Sequence, residues 1–376
     1  MKTGQGGHGS NGYRFPPNRQ PGSHHATRPE ASDEGKTLLT MQPRFDDLAS
    51  TVDSEIREVL SARSTRLYDI MAYHLGWEDA AEQTAPSAPG DRRHGVLCLV
   101  ACQAAGGDVD SAMPAAAAVE LVDKFCQIHD DVQGGKPKRD NRDAVWWVWG
   151  PAQAINAGDG MHALARLSLF RLLDRGVEAE LAFRAVQVLD EASLRACEGR
   201  FLDLQAQERV DVAVESYFKM ATDKEGALYG CALELGAVLA GAGDETVRHV
   251  RQSGLDLGVA LQIKNDLAEL SKTASASDYV SEDLMNKKKL LPIVMAFETG
   301  AARDRRRLGD VYFKRVLEPG DLDGLATILD ELGTIERSRE LLVQRIASAR
   351  SSLEASGLES AGIEFVGSYI DSLMEA

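Results

Sequence analysis

Ala115 to Gly135 reads AAAAVELVDKFCQIHDDVQGG, and this stretch decides the fold class. Its apolar residues recur three and four apart as far as Val132, the spacing of one buried helix face. The run then closes on His129-Asp130-Asp131 and stops at Gly134-Gly135. Working outward, the same spacing returns in Val96 to Ala105, Ala152 to Leu173, Glu178 to Gln207, Ala227 to Ala240, Thr246 to Leu270 and Leu290 to Glu298. Breaks fall at Gly, Pro and Asp clusters: Pro86 to Gly90, Gly106 to Asp110, Gly134 to Asp143, Gly241 to Asp244 and Ser271 to Ser281. No alternating strand pattern of convincing length and no internal repeat intervenes. The expected fold is all-α, one helical domain over 44–376. Residues 1–43, rich in Gly, Pro, Ser, His and Asn, are expected to form a disordered tail.

The 376 residues carry 58 acidic against 42 basic side chains, a formal net charge of -16. Phosphate neutralisation needs the opposite balance, so bare nucleic acid is excluded as the main partner. No run of 18 or more apolar residues is present, which argues against stable membrane insertion. The first residues also lack the charged-then-apolar layout of a secretory signal. Cys98, Cys102, Cys126, Cys197 and Cys231 lie in apolar helical stretches with no Cys-x-x-Cys pair, and they read as reduced core residues of a cytoplasmic protein.

Two acidic clusters carry the chemistry. The first is Asp130-Asp131; the second, Asn265-Asp266-Leu267-Ala268-Glu269, ends another apolar helix. An acidic pair taken alone is most often a solvated helix face. Asn265 and Glu269 are four apart, however, and share a face. Two such clusters facing each other across a bundle would hold a hard divalent cation through oxygen ligands, with substrate phosphate completing a Mg2+ shell.

The run from Glu120-Leu121 to Asp130-Asp131, then Arg139, Val145-Trp146, Trp149-Gly150 and Ala152 to Asp159, resembles the first Asp-rich region of the trans-isoprenyl diphosphate synthases. Gly199 and Asp203, Lys224 to Leu228, Leu257-Gly258 to Asp266, and Lys288 to Pro292 follow in that family's order and spacing. The resemblance implies an isoprenoid synthase-type helical bundle with a central active-site cavity. It also implies a homodimer that ionises an allylic prenyl diphosphate with Mg2+. On that resemblance Arg139, Lys224 and Lys288, with Gln262 alongside, take the catalytic positions that bind the allylic diphosphate. Asp130, Asp131, Asn265, Asp266 and Glu269 take the metal positions, and Phe125 lines the prenyl cavity.

Departures from the family pattern fall together. Asp91 and His94 stand where a Gly-Lys-x-x-Arg loop has its Lys and Arg, Asp123 where there is a His, and Asp140 where there is the second Arg of a pair. These places serve the diphosphate of isopentenyl diphosphate in the family's elongating members. At ~4 to 6 Å and an effective dielectric of ~20, each reversed contact costs roughly 3 to 4 kcal/mol. Gly134 also replaces the third Asp of the first motif, Asn265 the first Asp of the second, and Glu225 a Thr. The expectation is therefore a protein that ionises a geranylgeranyl- or farnesyl-type diphosphate but does not condense it with isopentenyl diphosphate: a terpene synthase, or a prenyl transferase to another acceptor. Two alternatives stand beside it, a chain-elongating short-chain synthase and a non-catalytic subunit that modulates one.

Overall fold

The computed structural model describes residues 33–77, 92–209, 211–275, 282–314 and 317–375. Helices α1 (Asp33–Ser61), α2 (Arg66–His74), α3 (Arg93–Ala104) and α4 (Val109–Gly134) come first. A short antiparallel hairpin, β1 (Lys138–Arg139) and β2 (Arg142–Asp143), leads to α5 (Val145–Trp149), α6 (Pro151–Phe170) and α7 (Ala179–Gln207). Next, α8 (Val214–Ala221) passes through a π-helical turn (Thr222–Gly226) into α9 (Ala227–Leu239) and then α10 (Asp244–Ser275). The rest is α11 (Glu282–Met285), α12 (Leu291–Thr299), α13 (Ala302–Tyr312), α14 (Pro319–Glu331), α15 (Thr334–Glu354) and α16 (Ser360–Glu375). The chain is all-α, and among the described residues the hairpin holds the only strands.

Residues 1–32 and Asp91 lie outside the described residues. Helix α1 begins at Asp33, so 33–43 is helical backbone rather than tail. Adding residues to an existing helix costs far less than nucleating one, which is why sparse apolar content there did not stop it. Likewise α10 runs to Ser275, past the break expected at Ser271.

Helix α4 is the axis of the bundle. The Asp108 side chain caps its start by accepting from the Asp110 N–H at 3.2 Å, and Gly135 ends it in the left-handed region at φ 59°. Its middle, Ala115 to Val119, is wholly buried against α3, α6 and α9 in the main core. The Ser168 hydroxyl of α6 donates to the Pro114 carbonyl at 2.8 Å. Two smaller cores adjoin: one of α12, α13 and α14 around Leu308 and Leu325, and one where Tyr217, Ile263 and Leu291 join α8, α10 and α12. Among the described residues no helix is long and apolar enough to cross a membrane.

Close helix approach sets the cavity wall. Gly199 of α7 lies against the π-helical turn so tightly that an added Cβ would collide with the Lys224 backbone nitrogen. Gly199→Ala is therefore expected to lower stability by about 1 to 3 kcal/mol, the usual cost of overpacking. The measurement is the urea midpoint; an unchanged midpoint would mean the two segments separate freely.

Candidate active site

A cavity of about 720 Å³ opens between α4, α7, α9 and α10. Its size is that of a small-molecule site. One side is apolar, formed by Phe125, Ala196, Leu228 and Leu261; charged groups crowd the mouth. Phe125 is packed between two imidazoles, its ring centroid 4.7 Å from His129 and 5.1 Å from His162.

The π-helical turn inserts one extra residue per turn and so re-aims a side chain, a device often found at functional sites. Here it turns Lys224 inward. Lys224 Nζ donates to the buried Asp203 carboxylate at 3.0 Å and to Gln262 Oε1 at 3.4 Å. Burial, and then the nearby Arg200 guanidinium, brings the Lys224 ammonium down to about 8. Asp203 is pulled the other way: burial opposes its ionisation, but Lys224, Lys288 and Arg200 around it hold its carboxyl well below the usual range.

Both aspartates of the first motif carry a guanidinium. Arg139 grips Asp131 through two bonds, Nε to Oδ2 at 2.9 Å and Nη2 to Oδ1 at 2.7 Å. Arg200 pairs with Asp130 and also reaches Asp203 at 3.2 Å. Sequence reasoning missed Arg200; its only signals were the neighbouring Gly199 and the i,i+3 spacing to Asp203. Lys288 lies in a side recess shared with Asp130 and Arg139, bound to Asp283 at 3.0 Å. That Asp283, also bound by Lys136 at 2.6 Å, lines the same recess as Gly134.

The second motif divides. Asn265 faces the cavity, whereas Asp266 and Glu269 are not among its lining residues. Consecutive residues on a helix point about 100° apart, so Asp266 turns into the core. There its carboxylate accepts from the Tyr217 hydroxyl at 2.7 Å, the Leu291 N–H at 2.9 Å and Gln262 Nε2 at 2.7 Å. Gln262 is accordingly a link between Asp266 and Lys224 rather than a lining residue. Asp266 as a cavity-facing metal ligand is thereby corrected.

The wall carrying the family departures also differs from expectation. Asp123 does not stand as an unopposed negative charge. Lys124 Nζ lies 2.9 Å from it and Gln127 Nε2 donates to it at 2.6 Å. Burial opposes its ionisation, but Lys124 and then His94 bring the Asp123 carboxyl down to about 2. Lys124 also touches Glu120 at 3.2 Å; that carboxylate already accepts the His94 and Gly95 N–H groups at the positive N-terminus of α3. Asp140 lines the cavity from the exposed hairpin tip, where it and Asn141 take φ 49° and 63°. Asp and Asn are the residues a two-residue hairpin turn favours, so backbone conformation accounts for Asp140. Arg92 is a structural staple, its buried guanidinium bound to Asp53 and to the Leu75 carbonyl at 2.8 Å. Cys126 and Cys197 line the cavity, and Cys197 is exposed rather than core.

Oxygen donors alone face the mouth from the two motifs, as a hard cation requires. Among the described residues no three His, Cys, Asp or Glu side chains converge as a metal cage. The residues fit Mg2+ in the manner of a phosphate-assisted site, in which one or two carboxylates suffice.

This fold and this site define an enzyme of the isoprenoid synthase superfamily. A family model described as polyprenyl synthetase matches residues 77–329. The geranylgeranyl diphosphate synthase of Mycobacterium tuberculosis is 38% identical over 269 residues, covering 71% of this chain and 74% of that protein. The (2E,6E)-farnesyl diphosphate synthase of Mycobacterium bovis is 32% identical over 295 residues, covering 78% and 77%. The crystal structure of a polyprenyl synthetase from Streptomyces coelicolor A3(2) matches with a TM-score of 0.79 at 29% identity, over 89% of this chain and 99% of that one. The chain belongs to the polyprenyl synthetase family.

Asp266 gives a pH test of its buried setting. Burial raises its carboxyl to about 6, against roughly 3.9 in an unfolded chain. Between those values the folded protein holds the extra proton, so stability falls as pH rises from about 4 to about 6. Asp266→Asn should flatten that fall in urea midpoints taken across the window; an unchanged slope would place the titration elsewhere.

Proposed function

We propose that this protein is a short-chain prenyl diphosphate synthase, which ionises an allylic diphosphate and joins the cation to isopentenyl diphosphate. The reading of ionisation without isopentenyl diphosphate is set aside. It required an acidic acceptor wall, and Asp123 is balanced by Lys124, Asp140 is a turn residue, and the similar proteins are named as diphosphate synthases. A non-catalytic subunit is set aside on the same family membership.

The observation that carries the proposal is His94. The residue is 5% exposed, its ring lies tilted against Tyr229 with centroids 4.3 Å apart, and neither ring nitrogen has a hydrogen-bond partner. Nδ1 stands 3.8 Å from Asp123, too far for a bond. A buried polar group without a partner costs free energy unless a ligand supplies one. Arg93, His94 and Lys124 line one side of the cavity and offer an acceptor diphosphate the donors that the absent family residues would have given.

On the allylic side Arg139, Lys224 and Lys288 meet the other diphosphate, taking up negative charge as the carbon–oxygen bond breaks. Asp130 and Asn265 would hold Mg2+ together with that diphosphate's oxygens, and the ion supplies further charge neutralisation to the leaving group. The apolar wall of Phe125, Leu228 and Leu261 receives the prenyl chain and keeps water from the cation. Phe125 also offers it a π-face.

We place the enzyme in the cytoplasm as a homodimer. All five cysteines are unpaired, which suits a reducing compartment. Leu167, Phe170 and Leu173 on or just after α6, with Phe183, Leu194 and Phe201 on α7, are each about half or more exposed. Large apolar side chains left exposed along and just beyond two adjacent helices suit a protein interface.

Purified protein with Mg2+ and farnesyl diphosphate should yield longer diphosphates only when isopentenyl diphosphate is added. Hydrocarbons or alcohols formed without it, and no elongation with it, would sink the proposal. His94→Gln is expected to raise KM for isopentenyl diphosphate about tenfold, the loss of one charge-assisted contact, while leaving the allylic KM within about twofold. Leu167→Glu with Phe170→Glu should convert dimer to monomer by light scattering; an unchanged mass would remove this face from the interface.

A further inference from the structure

We infer that Arg200 is a diphosphate-binding residue of this site, poised on Asp130 until the anion arrives. The inference rests on the prenyl diphosphate reading only for the location of the leaving group.

Arg200 is placed as a ligand-binding cation and is underused as a structural one. It lines both the main cavity and the recess that holds Lys288, and so stands between Lys224 and Lys288. Asp203 anchors it at 3.2 Å through one terminal nitrogen while the other pairs with Asp130. Its Nε is buried and has no hydrogen-bond partner. A guanidinium with five donors fixed in a plane is strongest when its fork meets two oxygens side by side. Asp203 takes Nη1 and a single Asp130 oxygen takes Nη2, so Nε, the other half of the Nε–Nη2 edge, is offered no acceptor. Turning that edge to the cavity gives Nε a phosphate oxygen without loss of the Asp203 anchor.

Competition explains why Asp130 and not the cavity holds it now. Asp130 is 23% exposed, the accessible carboxylate of the first motif; Asp131 is 2% exposed and already held twice by Arg139. Asp130 is also the motif carboxylate that faces the cavity and is open to a divalent cation. A carboxylate given over to a cation no longer competes for the guanidinium, which is then available to the diphosphate. Arg200 also crowds Lys224, a like-charge arrangement that an arriving anion relieves.

The test is isothermal calorimetry with inorganic pyrophosphate on the full chain, with EDTA and then with Mg2+. Wild type should bind pyrophosphate in EDTA. Asp130→Asn should tighten that metal-free binding, because the competing carboxylate charge is gone. Arg200→Gln should weaken pyrophosphate roughly 10- to 100-fold in both conditions, the scale of a lost charge-assisted contact, and Arg200→Lys should recover part of it. In the double variant Arg200→Gln with Asp130→Asn binding should stay weak. Restoration to the wild-type level there would show that Arg200 serves only to neutralise Asp130, and would overturn the inference, as would wild-type affinity in Arg200→Gln alone. Thermal unfolding of each variant separates loss of the fold from loss of the contact. Failure of wild type to elongate a prenyl chain, with these pyrophosphate results intact, would remove the synthase reading and leave Arg200 standing.

Discussion

The buried carboxylate of Asp203 is the contact on which the site depends. It is 2% exposed and holds Lys224 at 3.0 Å and Arg200 at 3.2 Å. A charge removed from water must be paired, or it protonates. Asp203 stays ionised because three cations lie near it, and two of them, Lys224 and Arg200, are held at the cavity because Asp203 is there. Gly199, four residues earlier on α7, lets the π-helical turn come close enough for Lys224 to reach it. Backbone packing and electrostatics are thus one arrangement: the helices meet where the charges balance.

The same balance corrects a reading based on charge counting alone. Asp123 replaces a histidine of the resembling family and looks repulsive to a diphosphate. Its neighbour Lys124 carries the charge back, reaching sideways on a long stem to lie between Asp123 and Glu120, and one Glu120 oxygen accepts from the start of α3. What remains on that wall is a buried imidazole whose ring nitrogens make no hydrogen bond, beside Arg93. Such a wall suits an anion.

Helix positions were legible from long apolar runs bounded by Gly, Pro and Asp breaks; Ala115 to Val122 and Ala227 to Leu239 are buried almost all round, as helices at the centre of a bundle are. The family resemblance followed from motif order, and it also located Asp130, Asn265, Lys224 and Arg139 near one another around the cavity. Contacts distant in sequence were not legible. Arg200 meets Asp130 across two helices, and no local pattern announces that. Asp266 adjoins Asn265 in the chain but points into the Tyr217 core, since one residue of helix rotates the side chain away from the cavity. The reach of α1 back to Asp33 was missed because helix propagation leaves no apolar signature.

Two anion sites in one cavity, Arg139, Arg200 and Lys224 on one side and Arg93, His94 and Lys124 on the other, are the central claim. The most direct test is a crystal structure with Mg2+, a non-ionisable thiolo analogue of farnesyl diphosphate, and isopentenyl diphosphate. The account predicts the analogue's diphosphate against the first set and the isopentenyl diphosphate against His94 and Lys124. Density for the analogue alone, with His94 still unbonded at saturating isopentenyl diphosphate, would contradict it.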